Sequence, residues 1–261
     1  VITGFAEREG SRDAVVWMPT SDECVVHSAA EDCNNNGLAD ACETLVWTNT
    51  DFTGDLAAQG WTINGSSVVA LNDSAIQLTA PTVDQMGTFI REPLTSGTTQ
   101  RLRAFFDFRC SDPSGLPADG IAFSLMDADA VAPSAWFGED GVSVPGTVTV
   151  KLNTYQNLPL ESSANSVHLR YDGADVAVNT ALPFTLADGE WHRAMVELSP
   201  DGRVTVKIGS TPTALTTVID NIQIPGYVPH RHRIGFGART GGQYTRQSIT
   251  NVRLAVNGPN D

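Results

Sequence analysis

The sequence predicts an all-β protein, a two-sheet antiparallel jelly-roll sandwich. Three observations carry that expectation. Period-two or β-rich apolar runs recur through most of the chain. Turn signals such as "SPDG", "DPSG", "LADG" and "YDG" separate them roughly every ten residues. No stretch sustains a helical period, because proline or glycine interrupts every candidate. Short strands spaced this evenly over about two hundred residues are accommodated by two packed sheets.

In chain order, residues 1–20, "VITGFAEREGSRDAVVWMPT", read as two short strands around "REGSRD". They are too few to bury a core and fit a remnant of an upstream repeat or a tail. Residues 21–43 form a polar, cysteine-bearing segment, and residues 44–261 form the sandwich. There "AIQLTA", "RLRAFFDF", "GIAFSLMD", "TVTVKLNTY" and "SVHLRYDG" are expected strands. "WHRAMVELS", "RVTVKIG", "RIGFGAR" and "SITNVRLAV" follow in the same way.

Composition narrows the function. A formal net charge of -14 offers no basic patch for nucleic acid, and it leaves spare carboxylates for a hard cation. No apolar run is long enough to span a membrane. The opening carries no signal peptide, so the chain reads as a mature form or an excised fragment. Cys24, Cys33, Cys42 and Cys110 include no C-x-x-C pair, which argues against a zinc ribbon or a redox site. An even count in an acidic chain favours disulfides and a secreted or cell-surface location. Three connectivities are open, and Cys33 with Cys42 is the preferred pair.

The stretch "DCNNNGLADACE" has the spacing of a twelve-residue calcium loop. Asp32, Asn34 and Asn36 supply oxygens at positions 1, 3 and 5. Gly37 permits the sharp turn, the Leu38 carbonyl contributes at position 7, Asp40 stands at 9, and Glu43 can bind bidentately at 12. The pattern resembles lone dockerin-like loops and thrombospondin type 3 repeats. It implies a bound Ca²⁺ that folds a short spacer ahead of the sandwich.

Three blocks of the larger region then carry a second resemblance. "PADGIAFSLMDAD", "VTVKLNTYQN" and "HRIGFGARTGGQYTRQSITNVRL" resemble, in order, signature blocks of legume-type lectins. Residues 44–257 are therefore similar to the concanavalin A-like lectin/glucanase superfamily, nearest to its secreted bacterial branch. The resemblance implies that Asp119, held by a cis Ala118–Asp119 peptide, accepts hydrogen bonds from sugar hydroxyls. It implies that Asn157 contacts both sugar and Ca²⁺, that Tyr155 lends a carbonyl to the ion, and that Gly241, Gly242 and Tyr244 border the pocket. A backbone N–H from Gly138 or Gly141 would complete it. A second Ca²⁺ would take Asn153, Tyr155, Asn157 and Glu161.

The departures from that pattern are informative. Lys151 and Asn153 stand where the family carries glutamate and aspartate, so the transition-metal site looks lost. His168 reads as an ordinary strand residue. The retaining-glucanase pattern, carboxylates at period-two spacing on one strand, is missing from "VTVKLNTYQN" and from the other strands. Asp127 with Asp129 reads as a solvated turn and Glu139 with Asp140 as loop charge. His230 and His232 read as a surface basic cluster, and Trp191 as a core residue. The expectation is a non-catalytic carbohydrate-binding module of a secreted, calcium-stabilised protein with further domains upstream. The alternatives are a structural or adhesive sandwich, or a polysaccharide-degrading glucanase or lyase of the same fold.

Overall fold

The chain divides into two units, Val1–Thr44 and Leu45–Asp261. The computed structural model describes residues 46–257 apart from residues 51, 53, 71, 72, 100, 160 and 212, so every described residue lies in the second unit. The expected strands of residues 1–20, the calcium loop from Asp32 to Glu43 and the Cys33–Cys42 pair lie outside the described residues.

Fifteen strands are described: β1 (Val46–Asn49), β2 (Trp61–Gly65), β3 (Val68–Ala70), β4 (Ala75–Thr79), β5 (Met86–Arg91), β6 (Arg101–Ser111), β7 (Gly120–Asp127), β8 (Val148–Asn153), β9 (Ser166–Tyr171), β10 (Ala174–Asn179), β11 (His192–Leu198), β12 (Arg203–Gly209), β13 (Thr216–Gln223), β14 (His232–Arg239) and β15 (Arg246–Asn257). They form two antiparallel sheets, with no α-helix among the described residues. One sheet runs β13-β12-β11-β6-β15-β4-β3, with β1 also on β15, and the other runs β10-β9-β8-β7-β14-β5-β2. This is the jelly-roll sandwich that the sequence predicts.

The alternation of β6 explains the first sheet. Leu102, Ala104, Phe106, Phe108 and Cys110 point inward and are fully buried, while the residues between them face outward. Across the interior, Phe106 meets Phe123 at 5.4 Å and Phe236 at 5.0 Å between ring centroids, which ties the two sheets together. Burying each such ring contributes about 1.5–3 kcal/mol. Cys110 is a free thiol, and burial pushes its pKa up to about 12.

In the second sheet β7 is buried on both faces. Ile121, Phe123 and Leu125 join the main core. Ala122 and Met126 join a smaller cluster with Ile90, Val131 and Phe137, formed under the long β7–β8 connection. That connection roofs the outer face of the sheet and brings its own charges inward. Glu139, expected to be loop charge, is fully buried. His232, expected at the surface, is also buried. Its ring accepts a place beside the Tyr227 hydroxyl (3.1 Å), and burial lowers its pKa to about 4. Trp191 is half-buried rather than core, with the Arg109 guanidinium 4.5 Å over its ring.

Candidate functional site

Antiparallel register sets one row of residues across the rim of the second sheet. Arg239 of β14 lies opposite Gly120 of β7, Gly120 opposite Asn153 of β8, and Asn153 opposite Ser166 of β9. The segments entering or leaving these positions converge at one end of the sandwich. There Asp84, Asp119, Tyr155, Asn157, Arg239, Thr240, Gly241, Gly242 and Gln243 line an open cavity of ≈ 510 Å³.

Asp119 is fixed from several sides. The Ala118–Asp119 peptide is cis. The Asp119 N–H donates to the Arg239 carbonyl (2.9 Å), and its own carbonyl accepts from the Thr154 N–H (3.1 Å). Behind it, Ala118 N–H donates to Thr245 Oγ1 and the Ala118 carbonyl accepts from the fully buried Gln247 amide, each at 2.9 Å. Gly120 is required next: its φ is +137°, and a Cβ there would sit 2.2 Å from the Leu152 carbonyl oxygen. The carboxylate is 9% exposed and accepts from Arg239 Nε at 3.1 Å. Burial raises its pKa, and the Arg239 guanidinium acts against that rise.

Opposite Asp119, the loop after β14 is pinned to the loop before β5. Thr240 N–H donates to the Gln85 carbonyl (2.9 Å), Thr240 Oγ1 to the Thr82 carbonyl (2.8 Å), and Asp84 N–H to the Gly241 carbonyl (3.2 Å). A Cβ on Gly241 would lie 4.0 Å from Asp119 Oδ2, and one on Gly242 would meet nothing within 4 Å. These two glycines keep the space in front of the carboxylate open.

Under the third wall lies a charge cluster centred on a buried lysine. Lys151, 2% exposed, donates from Nζ to Asp140 Oδ1 (2.8 Å) and to Glu161 Oε1 (2.5 Å). Glu161 Oε2 accepts from the Asn157 N–H at 2.7 Å, and from Asn157 Nδ2 and Asn153 Nδ2 at 3.3 Å each. Arg170 donates to the carbonyl and carboxylate of Asp140. Arg239 joins Glu139 Oε1 at 2.7 Å as well as Asp119. Burial alone would lift the Asp140 and Glu161 pKa values; Lys151, Arg170 and the Asn157 amide outweigh it and hold both low. The same carboxylates hold the Lys151 pKa up against burial. Glu139 is the exception: burial and the neighbouring Asp140 push its pKa up to about 7 against Arg239.

Asp119, Tyr155, Asn157, Gly241 and Gly242 are thus brought together in one cavity. Gly138 lies behind it, packed on the stem of Arg239 (a Cβ would meet Arg239 Cβ at 2.9 Å). Tyr244 is not among the lining residues; its backbone pairs with Ser114. Asn153 and Glu161 form the support beneath Asn157. Sequence reading missed Asp84 and Arg239 as lining residues, Glu139 as a buried partner of Arg239, and the half-exposed Asp140 as a partner of Lys151 and Arg170. Arg239 follows the "GFGA" run directly and could have been found from strand alternation. Nothing local marks Asp84.

No family model matches the chain, and no curated protein does either. Solved structures do. The lectin of Bauhinia forficata, in complex with GalNAc, aligns with a TM-score of 0.65 at 18% identity, over 83% of this chain and 100% of that one. Peanut lectin, bound to a nine-residue peptide, gives 0.65 at 21% identity over 82% and 98%. The exoplasmic/lumenal domain of VIP36, in its Ca²⁺/Man₃GlcNAc-bound form, gives 0.62 at 18% identity over 81% and 90%. At these identities the likeness establishes the fold alone: this chain carries the two-sheet jelly-roll sandwich seen in legume lectins and VIP36.

Proposed function

We propose that residues 44–261 are a carbohydrate-binding, lectin-type module that binds its glycan without altering it, in a secreted or cell-surface protein. The observation that supports this most is the convergence of Asp119, Asn157 and the open Gly241–Gly242 edge on one cavity. A carboxylate and an amide can share pairs of adjacent hydroxyls, and the Tyr155 ring offers an apolar face to a pyranose. Comparable lectins carry GalNAc or mannose ligands in their solved forms. Such a site is weak singly and gains strength when presented in several copies, which suits a module with domains upstream.

The buried acids argue against the enzyme alternative. Glu139 is fully buried on Arg239, and Glu161 has both oxygens occupied by donors, so neither is free to attack or protonate a glycosidic bond. Calcium enters the proposal at the Asp32–Glu43 loop, as the folding ion of the preceding spacer. A glycan array with the full chain should give a defined set of hits, and Asp119→Ala should remove them. An array blank across neutral and charged glycans would refute the reading. Reducing-sugar release from a polysaccharide panel would move the chain to the enzymes.

A further inference from the structure

We propose that the Lys151 ammonium is the resident cation of this site. It takes the structural place of a divalent ion, so that the pocket is organised without metal. The resemblance to legume-type lectins implies a Ca²⁺ held by Asn153, the Tyr155 carbonyl, Asn157 and Glu161. The side chains present do not fit that ion. A carboxylate offers about four lone-pair sites. In Glu161, Oε1 accepts from Lys151 Nζ, and Oε2 is crowded by the Asn157 N–H, Asn157 Nδ2 and Asn153 Nδ2. The two asparagines therefore turn N–H groups, not oxygens, toward the acid they would share with a metal. Lys151 is 2% exposed and bridges that acid to Asp140, so a dication would be placed against a buried positive charge.

The geometry also shows what the lysine does in the ion's stead. Lys151 stands on β8 opposite Ala122 and His168, on the roofed face of the sheet. From there one ammonium clamps two separate loops. Through Glu161 it holds both the backbone and the side chain of Asn157, a residue that lines the cavity. Through Asp140 it holds the roof loop in which Glu139 grips Arg239, the partner of Asp119. Both polar walls of the cavity thus trace back to one internal cation. Lysine is a compact point charge with three donors, which suits it to this role.

The consequence for ligands, glycan binding that survives chelation, rests on the lectin reading above; the cation claim is tested without any sugar. The probe is CaCl₂ titrated calorimetrically into the full chain carrying Asp32→Ala and Glu43→Ala, which silences the N-terminal loop. No calcium heat and a melting temperature unmoved by Ca²⁺ or EDTA are expected. A calcium site in that background would overturn the proposal. Adding Lys151→Glu removes the ammonium and restores the acid that the resemblance places at the transition-metal position. With Asp140 and Glu161 beside it, it should create a divalent-cation site that takes Ca²⁺ with Kd on the order of 10⁻⁴–10⁻³ M and raises the melting temperature. A folded Lys151→Glu chain indifferent to Ca²⁺ would contradict it. Should that variant not fold, Lys151→Met decides. Amide exchange at Asn157, whose N–H donates to Glu161, should quicken at least tenfold, and unchanged exchange would refute the clamp.

Discussion

The two outer faces of the sandwich handle charge in opposite ways. On the open face of the eight-stranded sheet, Arg103 and Glu197 are direct cross-strand partners 2.7 Å apart, with side chains 38% and 27% exposed. On the roofed face of the other sheet, Lys151 and Glu161 are 2.5 Å apart, with side chains 2% and 10% exposed. The first pair is a solvated contact that water and salt can replace. The second has no such substitute, because its ions have lost their hydration and depend on each other. A pair such as Arg103–Glu197 is decoration on a sheet that its apolar face already holds. Charge under the roof fixes loops that have no strand pairing of their own.

That contrast is broken most directly at Lys151. Lys151→Met leaves the buried Glu161 without its cation and Asp140 with Arg170 alone, and should cost about 3–5 kcal/mol in urea unfolding. A loss below about 1 kcal/mol would place the pair in the surface class. Next comes Glu139, whose pKa in the fold, about 7, stands above its ordinary 4.5. For a raised carboxyl the folded state holds the proton longer. Its contribution is fully present below pH 4.5 and is lost as pH rises through about 7. Stability should therefore fall by up to about 3 kcal/mol across that window, and Glu139→Gln should flatten the fall. Parallel pH profiles of the two chains check this. The smallest effect belongs to the open face: Arg103→Ala should change stability by no more than about 1 kcal/mol, less still in high salt.

The same division decided what could be read from the sequence. Strands with one solvated and one core face, such as β6 and β12, announce themselves by alternation. Edge strands β10 and β13 do not, since much of each is exposed and apolar spacing loses its meaning. The short β1, β2 and β3 carry too few residues for a period. At the site, "ADG" and "NTYQN" pointed to Asp119 and Asn157 through their resemblance to blocks of legume-type lectins. Glu139 and Asp140 gave no such signal. Two acids after a glycine look like any solvated loop until the β7–β8 connection folds back over Lys151 and Arg239. His232 was hidden for a related reason: "HRH" is polar by composition, yet its third residue lies within β14, buried beside Tyr227.

The central claim is that Asp119 and Asn157 face a common saccharide. Its most direct test is a calorimetric titration of the strongest array glycan into the wild-type chain and into Asp119→Asn, a change that keeps the shape of the side chain and removes its charge. The account predicts saturable binding to the wild type and at least a tenfold weaker affinity for the variant, with an unchanged melting temperature. Equal affinities for the two chains would contradict it.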